Sequence, residues 1–299
     1  MEHEPVLLSE VLGFLSNTFA VDKVGRMLDA TLGLGGYSEA ILTSFPKMEV
    51  FALDRDQAAI AFAKERLAVF APRFQALHEN FGDMEESMSR FAPFDAFVFD
   101  LGVSNMQLTE AERGFSFQHD GPLDMRMNPH GRDLTAAEIL SERSAAQLAE
   151  IFWRYGEERY ARVIASRIEA ERRRGRELKT TGDLVALIRE TLPAPVQRKM
   201  GGHPARRIFQ ALRIFVNGEL EELESALSAL PKLAAAGCAV AMVSYHSLED
   251  RIVKHTFRRW EKEEARGRVV TRRPILPSEE ETARNFKARS AKLRFFVFS

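Results

Sequence analysis

A glycine-rich turn at residues 33–36, Gly-Leu-Gly-Gly, restricts the fold of this chain more than any other feature. It separates a predicted strand, Gly25–Asp29, from a predicted helix at 37–45. Further strands are predicted at 49–53, 73–77 and 95–100, and an amphipathic helix capped by Asp56 runs to about residue 70. The strand at 95–100 is apolar on both faces, as a central strand of a parallel sheet is. The alternation predicts an α/β fold around a parallel sheet.

This alternation stops after residue 102. A segment rich in Gly, Asn and Pro occupies 102–133, and helix patterns follow at 135–155, 157–174 and 181–192 without a strand between them. Long loops inside a compact domain are usually functional or mark an insertion. An acidic helix at 219–230, a strand at 237–244, a basic helix at 249–264 and a closing strand at 292–298 then restore the first pattern. We therefore expect a helical insertion in an α/β domain.

The glycine turn and the acid that ends the second strand predict a nucleoside site. Glycines let the backbone approach a ligand, and the next helix points its N-terminal N–H groups at it. Asp54, about 20 residues further on, is placed to accept both ribose hydroxyls. Asp29 precedes the turn, where it would repel a pyrophosphate but suit an amino group. With the closing strand, this favours S-adenosylmethionine, while NAD or FAD stays an alternative.

Composition narrows the class of protein. Hydrophobic residues make up 45% of the chain, enough for a core, and Cys238 is the single cysteine. No Cys/His spacing is typical of zinc, and no apolar run reaches the roughly 20 residues that span a bilayer. The acidic N-terminus lacks the basic start of a signal peptide. We expect a cytoplasmic protein with no metal and no membrane partner.

Basic residues are unevenly distributed although the net charge is only −1. Residues 198–213 and 284–294 contain cations and no acids, and 251–273 is rich in Arg and Lys. Such segregation permits a face that binds phosphates, although ordinary solvated helix faces would give the same pattern.

Nine blocks of sequence carry a family resemblance. They include Asp29-Ala-Thr-Leu-Gly-Leu-Gly-Gly36 and Phe99-Asp-Leu-Gly-Val-Ser104. The others lie at 113–117, 121–127, 155–158, 203–205, 209–213, 244–251 and 289–294. From His3 to the C-terminus, the chain resembles the bacterial 16S rRNA cytosine-N4 methyltransferases, also called MraW or methyltransferase H.

The resemblance implies a class I S-adenosylmethionine-dependent methyltransferase, with a Rossmann-like sheet and an inserted helical domain. The core would comprise residues 1–110 and 214–299, and the substrate-recognition domain 111–213. The implied reaction methylates the exocyclic N4 of a cytidine in the decoding region of 16S rRNA, within the small ribosomal subunit. S-adenosyl-L-methionine would be the cofactor.

The resemblance also assigns residues. It implies that Gly35, Gly36 and Tyr37 line the methionine side of the cofactor, that Asp54 holds the ribose and that Phe81 lies against the adenine. Asp100 would end the fourth strand at the pocket, and Gln107 would complete it. The departures from the family pattern are Tyr37 for His, Asn105-Met106 for Ser-Pro, Arg206 and Ile208 for threonines, and Tyr245 for Phe.

The chemistry of the proposed reaction suggests further residues. Asp100 could accept an N–H of the target amine, or could contact the cofactor only. His203, Arg207 and Arg213 lie in an acid-free stretch and could meet phosphates, although Arg213 could equally form a salt bridge. His246 follows a strand and could contact substrate or be structural. A flipped base could stack on one of three aromatic residues, although core packing is the commoner role. These are Phe115, Phe117 and Tyr245.

The segment Leu123-Asp-Met-Arg-Met127 has two interpretations. It could close over the base with Asp124 and Arg126 paired, or it could anchor a loop. Three other functions fit parts of the sequence: an NAD-dependent oxidoreductase, an RNA-binding assembly factor without activity, and a methyltransferase for protein or small molecules. The insertion and the basic segments disfavour a small-molecule substrate.

Overall fold

The computed structural model describes residues 5–131 and 133–299, so His3 lies outside the described residues. The chain forms two compact units. The sheet unit comprises the described residues up to Gly102 together with Leu220–Ser299, and the helical unit is Val103–Glu219. The predicted domain boundaries, 110/111 and 213/214, lie inside this helical unit, and they remain a prediction.

Seven strands are described: β1 Gly25–Asp29, β2 Met48–Asp54, β3 Phe74–His78, β4 Phe94–Asp100, β5 Ala234–Ser244, β6 Gly267–Val269 and β7 Lys292–Phe298. The helices are α1 Leu8–Thr18, α2 Gly36–Ser44, α3 Gln57–Arg66, α4 Met84–Met88, α5 Asn105–Thr109, α6 Ala136–Glu142, α7 Ala145–Gly156, α8 Ala161–Arg173, α9 Thr181–Thr191, α10 Ala194–Lys199, α11 Arg206–Asn217, α12 Glu219–Leu233, α13 Ser247–Lys262 and α14 Glu279–Arg284.

All seven strands join one sheet, in the order β3-β2-β1-β4-β5-β7-β6. The first five in this order run parallel, and β7 runs antiparallel to both β5 and β6. A parallel sheet whose chain order turns back at β1 and β4 places its ligand site at the carboxyl ends of these strands. With its closing antiparallel strand, this is the Rossmann-like sheet of the class I methyltransferases, as the sequence predicted.

The sheet is buried on both faces, as β4 illustrates. Phe97 and Phe99 pack into one core cluster with side chains of α12 and α13, whereas Ala96 and Val98 pack into the other, with side chains of α1 and α2. Burying one large apolar side chain contributes about 1.5–3 kcal/mol to folding. Because both faces are held in this way, the ends of β4 and its neighbours are fixed in space.

Two predicted helices differ from the structure: one is divided into two helices, and the other begins later than predicted. The pattern at 135–155 forms two helices, because Ser144 starts a new one with a capping box that it shares with Gln147. The pattern at 157–174 begins as a helix only at Ala161, since Glu157 adopts a left-handed conformation with φ 48°. The sequence reasoning missed the short β6 and six helices, namely α1, α4, α5, α10, α11 and α14.

Close packing and buried polar contacts hold the helical unit together. A Cβ on Gly156, at the end of α7, would lie 2.5 Å from the carbonyl oxygen of Arg207 in α11. Asn217, at the end of α11, accepts from the Met127 N–H and donates to the Met125 carbonyl, both at 2.8 Å. These contacts tie the 123–127 segment to α11. Within the two described stretches of chain, no helix combines the length and apolarity needed to cross a membrane.

Candidate active site

Three aspartates end adjacent strands of the sheet. Asp29 ends β1, Asp54 ends β2 and Asp100 ends β4, and these strands lie side by side in the order β2-β1-β4. Because the strands are parallel, the three side chains meet at one edge. We call Asp29, Asp54 and Asp100 the carboxylate edge; its negative charge suits a positively charged ligand.

The glycine turn lies against this edge. Gly33 has a positive φ of 50°, and its N–H donates to Asp54 Oδ2 at 2.7 Å. Gly35 has a φ of 83°, and a Cβ there would come within 3.0 Å of Leu67. Both conformations favour glycine. The turn thereby presents bare backbone at the start of α2, where N–H groups favour polar or anionic ligand atoms.

Asp54 is held so that it can accept further hydrogen bonds. Its Oδ1 accepts from the Asp56 N–H at 2.8 Å, and its Oδ2 accepts from Gly33. Burial raises the pKa of this carboxyl, and the backbone N–H donors oppose that effect. Each carboxylate oxygen has a second lone pair. This arrangement suits the two hydroxyls of a ribose, which donate hydrogen bonds.

Asp29 is completely buried. Its Oδ2 accepts from the Ser38 hydroxyl at 2.7 Å, and its Oδ1 accepts from the Thr31 N–H at 3.3 Å. Burial, opposed mainly by the Ser38 hydrogen bond, raises the pKa of Asp29 to about 6. A cation beside it would favour the charged carboxylate. The edge therefore fits the ammonium and sulfonium groups of S-adenosylmethionine better than a pyrophosphate.

Asp100 is anchored at its backbone and at its side chain. Its N–H donates to Thr31 Oγ1 at 2.6 Å, and the Tyr245 hydroxyl donates to its Oδ1 at 2.5 Å. Burial, with the charge of Asp100, raises the pKa of Tyr245 well above its ordinary value. The phenol therefore stays protonated at neutral pH and acts as the donor.

The two aromatic residues that were predicted to contact the cofactor, Tyr37 and Phe81, also pack within the sheet unit. Tyr37 is buried and donates its hydroxyl to the Val6 carbonyl oxygen. The half-buried Phe81 meets Phe99 edge-to-face, with ring centroids 6.0 Å apart. Their contact with a cofactor, like that of Gly35 and Gly36, stays a prediction.

The predicted residues of the helical unit each have contacts of their own. Gln107 accepts from the Ser104 N–H through its side chain at 2.9 Å. His203 stacks on Phe117, with ring centroids 4.6 Å apart, and burial with the nearby Arg189 lowers its pKa. Arg207 is exposed and lines a cavity of about 430 Å³. The roles of Gln107, His203 and Arg207 stay predictions.

Arg213 and His246 have structural partners. Arg213 donates to both carboxylate oxygens of Glu219 at 2.7 Å, in agreement with the salt-bridge interpretation. His246 caps α13 by accepting from the Glu249 N–H, at 3.4 Å. Their contacts with substrate stay predictions.

The 123–127 segment contains the ion pair that the sequence suggested. Arg126 donates to both oxygens of Asp124 at 2.8 Å. Phe115 is buried, as core packing requires. The side chains of Asn105 and Met106 lie outside the described part of the structure.

Sequence reasoning missed three contacts of the edge. Thr31 links Asp29 to Asp100, Ser38 binds Asp29, and Tyr245 binds Asp100. A signal for Tyr245 was present, because it follows a strand that was expected to lie in the same sheet. The two roles considered for this tyrosine, base stacking and core packing, both overlooked its hydroxyl.

Comparisons with known proteins identify the family of this chain. The model of the MraW methylase family matches residues 1–299. The chain is 47% identical to a ribosomal RNA small subunit methyltransferase H of Cyanothece sp., over 98% of this chain and 93% of that protein. It is also 47% identical to the protein of the same name from Gloeobacter violaceus, over 98% of this chain and 87% of that protein.

A solved rRNA methylase from Streptococcus thermophilus aligns with a TM-score of 0.45 and 10% identity, covering 100% of this chain and 98% of that one. The class I fold is established here by the strand order and not by this alignment. A methylase with this fold takes S-adenosylmethionine as its cofactor, and the glycine turn, Asp54 and Asp29 fit its parts. The sheet and the site agree with a family match that extends along the whole chain. The chain therefore belongs to the MraW methylase family.

Proposed function

We propose that this protein transfers a methyl group from S-adenosylmethionine to the exocyclic N4 of a cytidine in the decoding region of 16S rRNA. One observation carries the proposal: relatives 47% identical over 98% of the chain are named as small-subunit ribosomal RNA methyltransferases. The N4 position and the decoding region rest on the sequence resemblance. We further propose that the substrate is the small ribosomal subunit, in the cytoplasm.

The carboxylate edge supports binding of the cofactor. Asp54 would accept the ribose hydroxyls, the bare turn at Gly35 would pass close to the methionine moiety, and Asp29 would lie near its positive charge. When bound, S-adenosylmethionine supplies a methyl group activated by the sulfonium. The protein residues must then orient the acceptor amine and exclude water.

Asp100 supports methylation of an amine. The lone pair of the cytosine N4 is delocalised into the ring, which makes the amine a poor nucleophile. A carboxylate oxygen that accepts one N–H would help the lone pair turn out of the ring plane, and would stabilise positive charge developing on nitrogen. We assign this role to Asp100, at the carboxyl end of a central strand.

Cations of the helical unit support an RNA substrate. Arg159, Lys199 and Arg207 line one cavity of about 430 Å³. Hydrogen bonds from such cations to phosphates would position an RNA without reading its sequence. The target base must leave its stack to be modified, which requires on the order of a few kcal/mol unless the strand is already open.

The test uses small ribosomal subunits that lack the modification. Incubation with the protein and methyl-labelled S-adenosylmethionine, followed by nucleoside analysis, is expected to give labelled N4-methylcytidine at one position. Deproteinised 16S rRNA in a parallel reaction separates subunit recognition from RNA recognition. Asp100→Ala is expected to remove most of the label. Label on another base, on another atom or nowhere would reject the assignment.

A further inference from the structure

Tyr245 is held rigidly beside the carboxylate edge. Its backbone N–H donates to Glu249 Oε2 at 2.8 Å, so the cap of α13 fixes its main chain. One side of its ring lies near Gly102, where an added Cβ would be 3.2 Å from Cδ2. The ammonium of Lys287 lies 5.7 Å from the ring centroid. These contacts leave the phenol little freedom to move.

The hydroxyl is aimed at Asp100. The O–H to Oδ1 distance of 2.5 Å is that of a charge-assisted hydrogen bond, the stronger class of such bonds in proteins. Strand register supports it, because Asp100 pairs with Val243 and Tyr245 follows two residues later. Asp100 is thus held by Thr31 at its main chain and by Tyr245 at its carboxylate.

We propose that Tyr245 is a positioning residue, which fixes the rotation of the Asp100 carboxylate so that it meets the target amine. This inference rests on the proposed function. Rotation of a carboxylate displaces its oxygens by ångströms, and a misplacement of 1 Å at a reacting group can slow a reaction by about 100-fold. Tyr245 need not touch cofactor or RNA to act in this way.

The conservative variant Tyr245→Phe isolates the hydroxyl. The ring and its contacts with Gly102 and Lys287 stay, and phenylalanine is what the family resemblance places at this position. The variant is therefore expected to fold normally. We expect kcat to fall by roughly 10-fold, the loss of one hydrogen bond to a charged group. The dissociation constant of S-adenosylhomocysteine and the KM for the subunit are expected to change by less than about 2-fold, because Tyr245 acts through Asp100.

A measurement without substrate tests the contact itself. The chain has four tyrosines, so protein labelled at the tyrosine Cζ carbons gives few NMR signals, and Tyr245→Phe identifies one of them. Asp100→Asn replaces a charged acceptor by a neutral one and is expected to shift that signal. Tyr160→Phe, in the helical unit, is the matched control for the NMR measurement, and is expected to leave the Tyr245 signal unchanged.

The outcomes separate the two proposals. A Tyr245 signal that does not shift in Asp100→Asn would overturn the contact between the two side chains. If the wild type is active and Tyr245→Phe has the same kcat, the positioning role alone is overturned. A fall in affinity for S-adenosylhomocysteine, with kcat unchanged, would instead make Tyr245 a cofactor-binding residue. Wild-type protein that methylates no cytidine rejects the proposed function, whatever the NMR result.

Discussion

Replacing Asp29 by asparagine is expected to change how the stability of the free protein depends on pH. Asp29 is fully buried, and its pKa is about 6 instead of 3.8. The folded protein therefore holds this proton at pH values where the unfolded chain has released it. Stability consequently falls as pH rises from about 4 through 6, and ionised Asp29 destabilises the fold above that window.

The size of the effect follows from the shift. Raising the pKa of Asp29 from 3.8 to about 6, at about 1.36 kcal/mol for each tenfold change in acidity, amounts to about 3 kcal/mol. Asp29→Asn removes this contribution, because the amide does not ionise. Relative to the wild type, the variant is expected to gain about 3 kcal/mol between pH 4 and pH 8, with most of the change below pH 7.

Urea unfolding of ligand-free protein at a series of pH values measures this difference, since titrating groups remote from Asp29 contribute equally to both proteins. Ser38→Ala is the matched control: it removes the hydroxyl that favours the charged carboxylate, and so is expected to extend the wild-type decline to higher pH. Parallel curves for the wild type and Asp29→Asn would refute the reasoning, since they would mean that Asp29 has an ordinary pKa.

Two further substitutions test the packing of the helical unit, with Gly13→Ala in the sheet unit as a control for the first. Gly156→Ala places a Cβ 2.5 Å from the Arg207 carbonyl oxygen, and is expected to lower the free energy of unfolding by about 1–3 kcal/mol. Gly13 lies in a helix with open space around it, so Gly13→Ala is expected to raise the free energy of unfolding by about 0.5–1 kcal/mol. Asn217→Ala leaves two main-chain groups of the 123–127 segment without their partner, and is expected to lower the free energy of unfolding by about 1–3 kcal/mol, mainly through the buried Met125 carbonyl. Urea titration checks all three, and equal stabilities of Gly156→Ala and Gly13→Ala would contradict the close approach.

The sheet and its edge were predictable because local pattern and topology determine them. A strand apolar on both faces, such as β4, must lie in the middle of a parallel sheet, and its last residue then lies at the ligand edge. Asp54 and the glycine turn follow from the same rule. The sequence therefore predicted which edge of the sheet carries the glycine turn and the three aspartates, and the binding of a ligand there stays a prediction.

Helix boundaries in the insertion were less predictable. Apolar periodicity continues through residue 144, so the pattern alone gave one helix where there are two. The capping box of Ser144 and Gln147 was visible in the sequence, but its local hydrogen bonds compete with a continuous helix and here prevail.

Contacts between residues far apart along the chain could not be predicted from the sequence. The Tyr245–Asp100 bond joins residues 145 positions apart, and depends on strand register and on the cap of α13. The stacking of His203 on Phe117 depends likewise on tertiary packing. Residue type suggested phosphate binding for His203, but it could not reveal an aromatic neighbour.

Calorimetric titration of the protein with S-adenosylmethionine and, separately, with NAD tests directly whether the carboxylate edge holds an adenosine that carries positive charge. We expect S-adenosylmethionine to bind and NAD not to, and Asp54→Ala to weaken binding by about 10- to 100-fold, since it loses the acceptor of the ribose hydroxyls at about 1–3 kcal/mol. Binding of NAD in place of S-adenosylmethionine, or unchanged affinity in Asp54→Ala, would contradict the assignment.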